Sequence, residues 1–154
     1  MKVFHFRLEP LLELRQRDED RALNAYAITM RQRAEAERAE EMTRLALVQL
    51  DKEVIRTRNN HFDPRNQGPA IDASRLVEQQ LIACEERCKE AREAEEAARQ
   101  RYLEARTATQ VMAKLKDKRQ ATHIYESNRR EQEALEEATI IRSGRKMAEA
   151  PLTL

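Results

Sequence analysis

Cys84 and Cys88 are the residues whose type most readily suggests chemistry. Their spacing is C-x-x-x-C. A dithiol redox site or a zinc knuckle uses C-x-x-C, and a structural zinc needs about four nitrogen or sulfur ligands. The three histidines, His5, His61 and His123, lie on different parts of the chain. His123 has no nearby cysteine and no acid placed as its partner. No Ser/His/Asp constellation, glycine-rich phosphate loop or H-E-x-x-H pattern occurs. Acidic residues are abundant but fall on faces that read as solvated, where pairs such as Glu95 and Arg99 at i,i+4 support a helix. These patterns predict no catalytic site, no cofactor and no metal, so the chain is expected not to be an enzyme. The two cysteines read as small buried apolar residues, with a thiol switch as the alternative.

The composition limits what could position any site. Of 154 residues, 37% are charged and 4% aromatic, with no Trp and two Gly. Ala, Glu, Arg, Gln, Lys and Leu dominate, and all are strong helix formers. Low hydrophobicity with high charge also marks disordered chains. Against disorder stand a net charge of only +1 and apolar residues that recur with a period. A near-neutral chain is not expected to bind nucleic acid, which calls for a clear basic excess. No apolar run approaches the ~20 residues of a membrane span. The opening Met1-Lys2-Val3-Phe4-His5-Phe6 passes at once into charged sequence, unlike a signal peptide. Two cysteines without a secretion signal fit a reducing cytoplasm.

Helix is clearly broken in one place. Asn59-Asn60-His61-Phe62-Asp63-Pro64-Arg65-Asn66-Gln67-Gly68-Pro69 gathers two prolines, a glycine and three asparagines. Proline lacks a donor, and Asn and Gly favour turns. The prediction is a first helix over about residues 9–58, a loop at 59–72, a second helix over about 73–142 and a flexible tail at 143–154. Pro10 suits a first helical turn. Asp72 or Ser74 would cap the second helix. Helices this long need their apolar stripes covered. A short link makes them antiparallel neighbours, so the expected fold is all-α, a long two-helix antiparallel coiled-coil hairpin forming one domain.

The second helix carries a heptad stripe at Val77, Leu81, Cys84, Cys88, Ala91, Glu95, Ala98, Tyr102, Ala105, Thr109 and Met112. Nine of these eleven are apolar, the signature of a coiled-coil seam. On the first helix Leu8, Leu11, Leu12, Leu23, Tyr26, Met30, Ala34, Leu45 and Val48 fall on a broad face. Leu12, Leu23, Ala34 and Leu45 step by eleven, and Arg15, Glu19, Glu37 and Glu41 interrupt the stripe. Because the helices are unequal, the end of the second should overhang the first, exposing Tyr125, Leu135, Ile140 and Ile141. Two basic clusters remain. One is Lys114-Leu115-Lys116-Asp117-Lys118-Arg119; the other comprises Arg129, Arg130, Arg142, Arg145 and Lys146. They read as solvated helix surface, or as a docking surface for an acidic protein.

Two stretches carry a family resemblance. Phe4-His5-Phe6-Arg7-Leu8-Glu9-Pro10-Leu11-Leu12-Glu13-Leu14-Arg15 resembles the F-x-F-x-L-x-x-L-L-x-x-R opening of FliJ proteins. It passes into an acidic, Ala-rich helix at Asp18-Glu19-Asp20-Arg21-Ala22, as theirs does. Asn128-Arg129-Arg130-Glu131-Gln132-Glu133-Ala134-Leu135-Glu136-Glu137-Ala138 is similar to the family's R-x-E-Q-K-x-x-D-E-x-A stretch, with Glu133 in place of Lys and Glu136 in place of Asp. FliJ proteins are helical-hairpin components of the flagellar type III export apparatus, resembling the central stalk of rotary ATPases. The related injectisome stalk proteins share that architecture.

The resemblance implies a stalk without an active site. It would reside in the cytoplasm, peripherally associated with the inner-membrane face of the export apparatus. Its implied partners are the hexameric export ATPase, the export gate FlhA and export chaperones. The end with both termini would enter the ATPase pore, and the loop end would reach the gate. For the gate, the resemblance points to Leu50, to Arg58 in the run Arg58-Asn59-Asn60, and to Leu81 or Ile82. The family's aromatic contact positions are Glu53 and Thr57 here. For the ATPase it points to Arg7, Arg129 and Arg130. The alternatives are an injectisome stalk, or a generic coiled-coil scaffold or holdase chaperone.

Overall fold

The computed structural model describes residues 3–60 and 63–148. The chain is an all-α hairpin of two long helices packed against each other, α1 (Glu9–Asn60) and α2 (Pro64–Ala148). Paired residues run antiparallel: Tyr26 stacks on Tyr102, Arg33 bonds Glu95 and Thr43 meets Cys84. The expected fold class is thus observed.

The connection differs from the expected loop at 59–72. α1 ends at Asn60 and α2 starts at Pro64. The cap is Asp63, whose Oδ1 accepts the Arg65 backbone N–H at 3.0 Å. Asp72 and Ser74, the expected caps, lie inside the helix. Pro64 takes the first helical position, where its missing N–H would have had no partner. Pro69 forfeits one helical bond, a cost of ~3 kcal/mol in a helix interior. Continuing the helix through it places Gln67, Ala70, Ala73 and Ser74 half-buried against α1. Packing outweighs the local stop signal here. At the far end α2 continues through Gly144 to Ala148, past the expected limit at 142. Residues 149–154 of the expected tail, Pro151 among them, lie outside the described residues.

The hairpin divides into two compact units: Arg17–Arg106, and Met1–Gln16 with Thr107–Leu154. In the loop-end unit (17–106), every expected α2 seam position from Val77 to Ala105 is half-buried or buried, with Cys88 and Ala98 the most enclosed. The facing stripe on α1 is Ala22, Tyr26, Thr29, Arg33, Ala36, Glu40, Thr43, Leu47, Leu50 and Val54. It corrects the eleven-residue ladder, since Leu23, Ala34 and Leu45 are exposed, as are Met30 and Val48. The true stripe keeps heptad spacing but holds four polar residues, which sit there because partners on α2 or on the helix itself satisfy them.

In the terminal unit, residues preceding α1 pack along α2. Phe6 and Leu12 are buried, Leu8 is half-buried, and the Phe4 ring lies 5.6 Å from the His123 ring at 57°. The Phe6 carbonyl accepts the Glu9 N–H at 3.0 Å, turning the chain into α1. Glu9 Oε1 receives Lys116 Nζ at 2.7 Å, and Thr109 Oγ1 donates to the Arg15 carbonyl at 3.1 Å. Beyond Ser127 cover ends: every residue from Asn128 to Arg145 is exposed. Leu135, Ile140 and Ile141 are among them, as expected for an overhang, and Tyr125 is exposed just before it.

Candidate partner-binding surfaces

The loop-end unit carries a cleft of about 220 Å³ between the last three turns of α1 and the first two of α2. Leu50, Glu53, Val54, Thr57 and Arg58 line it from α1; Asp63, Gln67 and Ala70 close the other side. Leu50 is half-buried at its floor, and Arg58 is exposed in the last turn of α1. Glu53 is tied to Arg56 Nη2 at 2.6 Å, and Thr57 Oγ1 donates to the Glu53 carbonyl at 2.8 Å. The rim is therefore polar, and Leu50, Val54 and Ala70 make the lining aliphatic. The structure brings Leu50 and Arg58 to one cleft but leaves Leu81 and Ile82 outside it. Leu81 is half-buried on the seam, whereas Ile82 is exposed. Of that pair, Ile82 can meet a partner without disturbing the hairpin. Val54, Asp63, Gln67 and Ala70 also line it and were missed. The heptad step Leu47, Leu50, Val54 could have found the first; the other three lie in the stretch expected as loop.

In the terminal unit the three arginines do not converge. Arg7 sits in the turn before α1, between Phe4, which meets His123, and Glu9, which meets Lys116. Arg129 and Arg130 lie further along α2, beyond Ser127. Arg129 Nε donates to Glu133 Oε1 at 2.7 Å, which raises its already high pKa. Arg130 Nη2 lies 3.9 Å from Glu126 Oε2. These four side chains frame a shallow polar depression of about 280 Å³. All are exposed, so the pairs add little stability and remain free to exchange partners.

Both cysteines sit on the seam. Cys84 is half-buried, 3.7 Å from Thr43 Oγ1. Cys88 is buried, and its thiol is pushed up to about 11, chiefly by that burial and then by a hydrogen bond with Glu40. A thiol held neutral is a poor nucleophile. No group of three or more His, Cys, Asp or Glu able to hold a metal occurs among the described residues. No described helix is long and apolar enough to cross a membrane.

A charged layer across the seam went unread in the sequence. Arg33 Nη1 donates to Glu95 Oε2 at 3.0 Å, and Arg33 Nε to Glu37 Oε1 at 3.1 Å. Arg92 approaches the same Glu37 oxygen through Nε at 3.3 Å and Nη2 at 3.2 Å. The hydrogen bond from Arg33, then that from Arg92, lowers the Glu37 pKa. Glu95 lies on the seam as its heptad position implies, but it pairs across it with Arg33 and not with Arg99 at i,i+4, and Arg99 leans to Glu96 at 3.6 Å. The i,i+4 rule could not show this, because the partner is 62 residues away in sequence. Compared with known proteins, the chain matches no family model, no curated protein and no solved structure.

Proposed function

We propose that this chain is a stalk of a type III protein export apparatus, of the flagellar FliJ kind, which couples an export ATPase to the export gate. The observation that carries the reading is the company kept by the two motifs in the terminal unit. Phe4, Phe6, Leu8 and Leu12 of the first pack along α2, and the second, Asn128–Ala138, is wholly exposed on the same helix. An anchor followed by bare, charged helix suits an end that is completed by a partner. The basic residues Arg7, Arg129 and Arg130 would meet the ATPase ring there. At the loop end the aliphatic floor and polar rim of the cleft, with Leu50 and Arg58, suit the gate, and exposed Ile82 extends that surface along α2.

In this reading the protein does no chemistry itself. It is cytoplasmic, reaches the membrane only peripherally through the apparatus, and uses no cofactor. ATP is hydrolysed by the partner ring, and the stalk promotes its assembly and activity while escorting export chaperones. The test is co-purification with the export ATPase hexamer and measurement of hydrolysis with and without the chain. Binding and stimulation are expected, and both should be lost on removing residues 129–154 or on replacing Arg7, Arg129 and Arg130 together with Ala. Full binding after both changes would sink the assignment of the terminal end. An injectisome stalk is the same mechanism in a sister system, distinguished by which ATPase binds. A holdase chaperone or generic scaffold is the second reading, favoured by the exposure of Leu135, Ile140 and Ile141; it would show binding to unfolded clients and none to the ring.

A further inference from the structure

The apolar seam of the loop-end unit does not by itself fix how the two helices are aligned. α2 presents Leu81, Cys84, Cys88 and Ala91 at heptad spacing, and α1 presents Thr43, Leu47, Leu50 and Val54. In the observed alignment Thr43 meets Cys84. Sliding the helices by one heptad would set Thr43 against Ala91, Leu47 against Cys88, Leu50 against Cys84 and Val54 against Leu81. Every one of these remains a pairing of apolar or small side chains, and exchanges that keep chemistry and volume cost little. The connection allows the slide as well. Two turn-forming dipeptides lie in series, Asp63-Pro64 and Gly68-Pro69. In the structure α2 begins at the first; the slipped alignment centres its reversal beside the second, and Gly-Pro marks turns.

The charged residues are not indifferent. Arg33 holds Glu95 across the seam at 3.0 Å, and the Glu95 side chain is only 13% exposed. Arg33 also holds Glu37, which Arg92 holds from α2. After a one-heptad slide Glu95 would face Glu40, and Arg33 would face Tyr102. A half-buried attraction would become a like-charge contact, and a carboxylate withdrawn from water without its cation is strongly disfavoured. We propose that the layer of Arg33, Glu37, Arg92 and Glu95 is a register lock, selecting one of two alignments that the apolar seam and the connection both permit. The use of a polar seam position to specify register is well attested in coiled coils. The lock also preserves the loop-end cleft, because a slide would draw Leu50 and Val54 away from Gln67 and Ala70.

Cysteine cross-linking in the full chain tests this. With Cys88→Ser, Cys84 is the one native thiol left. Thr43→Cys reports the observed alignment, since Thr43 Oγ1 lies 3.7 Å from Cys84 Sγ. Leu50→Cys, two turns away on α1, reports the slipped one. Disulfide yields under mild oxidation are compared by peptide mass mapping. Glu95→Arg sets like charges against Arg33 in the observed alignment and opposite charges against Glu40 in the slipped one. It should raise the Leu50→Cys yield relative to the Thr43→Cys yield by about tenfold. Adding Arg33→Glu rebuilds the pair and should return the ratio toward that of the parent. An unchanged ratio in Glu95→Arg overturns the lock. So does a loss of helical circular dichroism with no gain in the Leu50→Cys product, because no second alignment then exists for the charges to exclude.

Discussion

Cys84 and Cys88 lie one turn apart on α2, yet they meet very different surroundings. Cys88 is enclosed, with Glu40 and Glu37 disfavouring its thiolate and Arg92 only partly opposing them. Cys84 stands half-open beside Thr43. Alkylation follows thiolate population and access, so iodoacetamide at pH 8 should label Cys84 at least about tenfold faster than Cys88 in the folded protein, and both alike in urea. The raised Cys88 pKa also ties stability to pH. Below the ordinary thiol value of 9.0, both folded and unfolded chains keep the proton. Between 9.0 and about 11 the unfolded chain releases it while the folded chain retains it. Stability falls as pH rises through that window wherever the folded state binds more protons. Urea unfolding of the parent and of Cys88→Ala at stepped pH should show a difference that is flat to pH 9 and then moves against the parent. A second residue-scale expectation concerns Phe6. It is buried in the terminal unit, and Phe6→Ala should remove ~3–5 kcal/mol where a buried ring leaves a cavity. His5→Ala, beside it but exposed, should stay within ~0.5 kcal/mol of the parent. Thermal melts of the two variants would separate an anchoring role for the opening motif from a merely exposed one.

At the scale of the helices, the packing stripe of α2 was legible and that of α1 was not, although the bounds of α1 were read closely, and the difference is chemical. The α2 stripe from Val77 to Met112 is mostly apolar, so period alone located it. The α1 stripe mixes Tyr26, Leu47, Leu50 and Val54 with Thr29, Arg33, Glu40 and Thr43, and a period read from hydrophobicity fails where the buried groups are polar and paired. Thr29 Oγ1 donates to the Tyr26 carbonyl at 2.8 Å, and Arg33 finds Glu95. The leucines that did look periodic, Leu23 and Leu45, face outward. The connection is shorter than the proline signals imply: Pro64 stands at the first position of α2, where a proline starts a helix, and Pro69 is carried inside it. The cap is therefore the element-scale test. Asp63→Ala should cost ~1 kcal/mol by freeing the Arg65 N–H, the usual loss for a cap. Asp72→Ala should not destabilise, because Asp72 lies exposed within α2 and Ala is the better helix former. Equal losses would place the start of α2 elsewhere. The proposed partner residues were legible only in part, since resemblance supplied Leu50 and Arg58 but could not choose between Leu81 and Ile82. That choice depends on which side of α2 faces α1.

At the scale of the whole molecule, a stalk must separate what holds it together from what its partners touch. The described surfaces permit that separation. No residue from Asn128 to Arg145 is buried, so removing residues 129–154 should leave the melting temperature of the rest within about 2 °C while abolishing binding to the export ATPase. The proposed gate-facing surface calls for a finer cut. Leu81→Asp would put a charge on the seam, and any loss of gate binding could be a loss of the hairpin. Ile82 is exposed, and a substitution there should fall within ~0.5 kcal/mol of the parent. Ile82→Asp combined with Arg58→Glu therefore changes the loop-end exterior alone. The double variant should keep the parent's helical circular dichroism and melting temperature, keep stimulation of the ATPase, and bind the gate at least about tenfold more weakly, the loss expected when ~1.4 kcal/mol of contact is removed. If gate binding is unchanged while the truncation still eliminates ATPase binding, the gate contact lies off the loop end and the two-ended arrangement fails. If the double variant loses both partners at unchanged stability, the ends are not independent, and a scaffold that presents one continuous face describes the molecule better than a stalk.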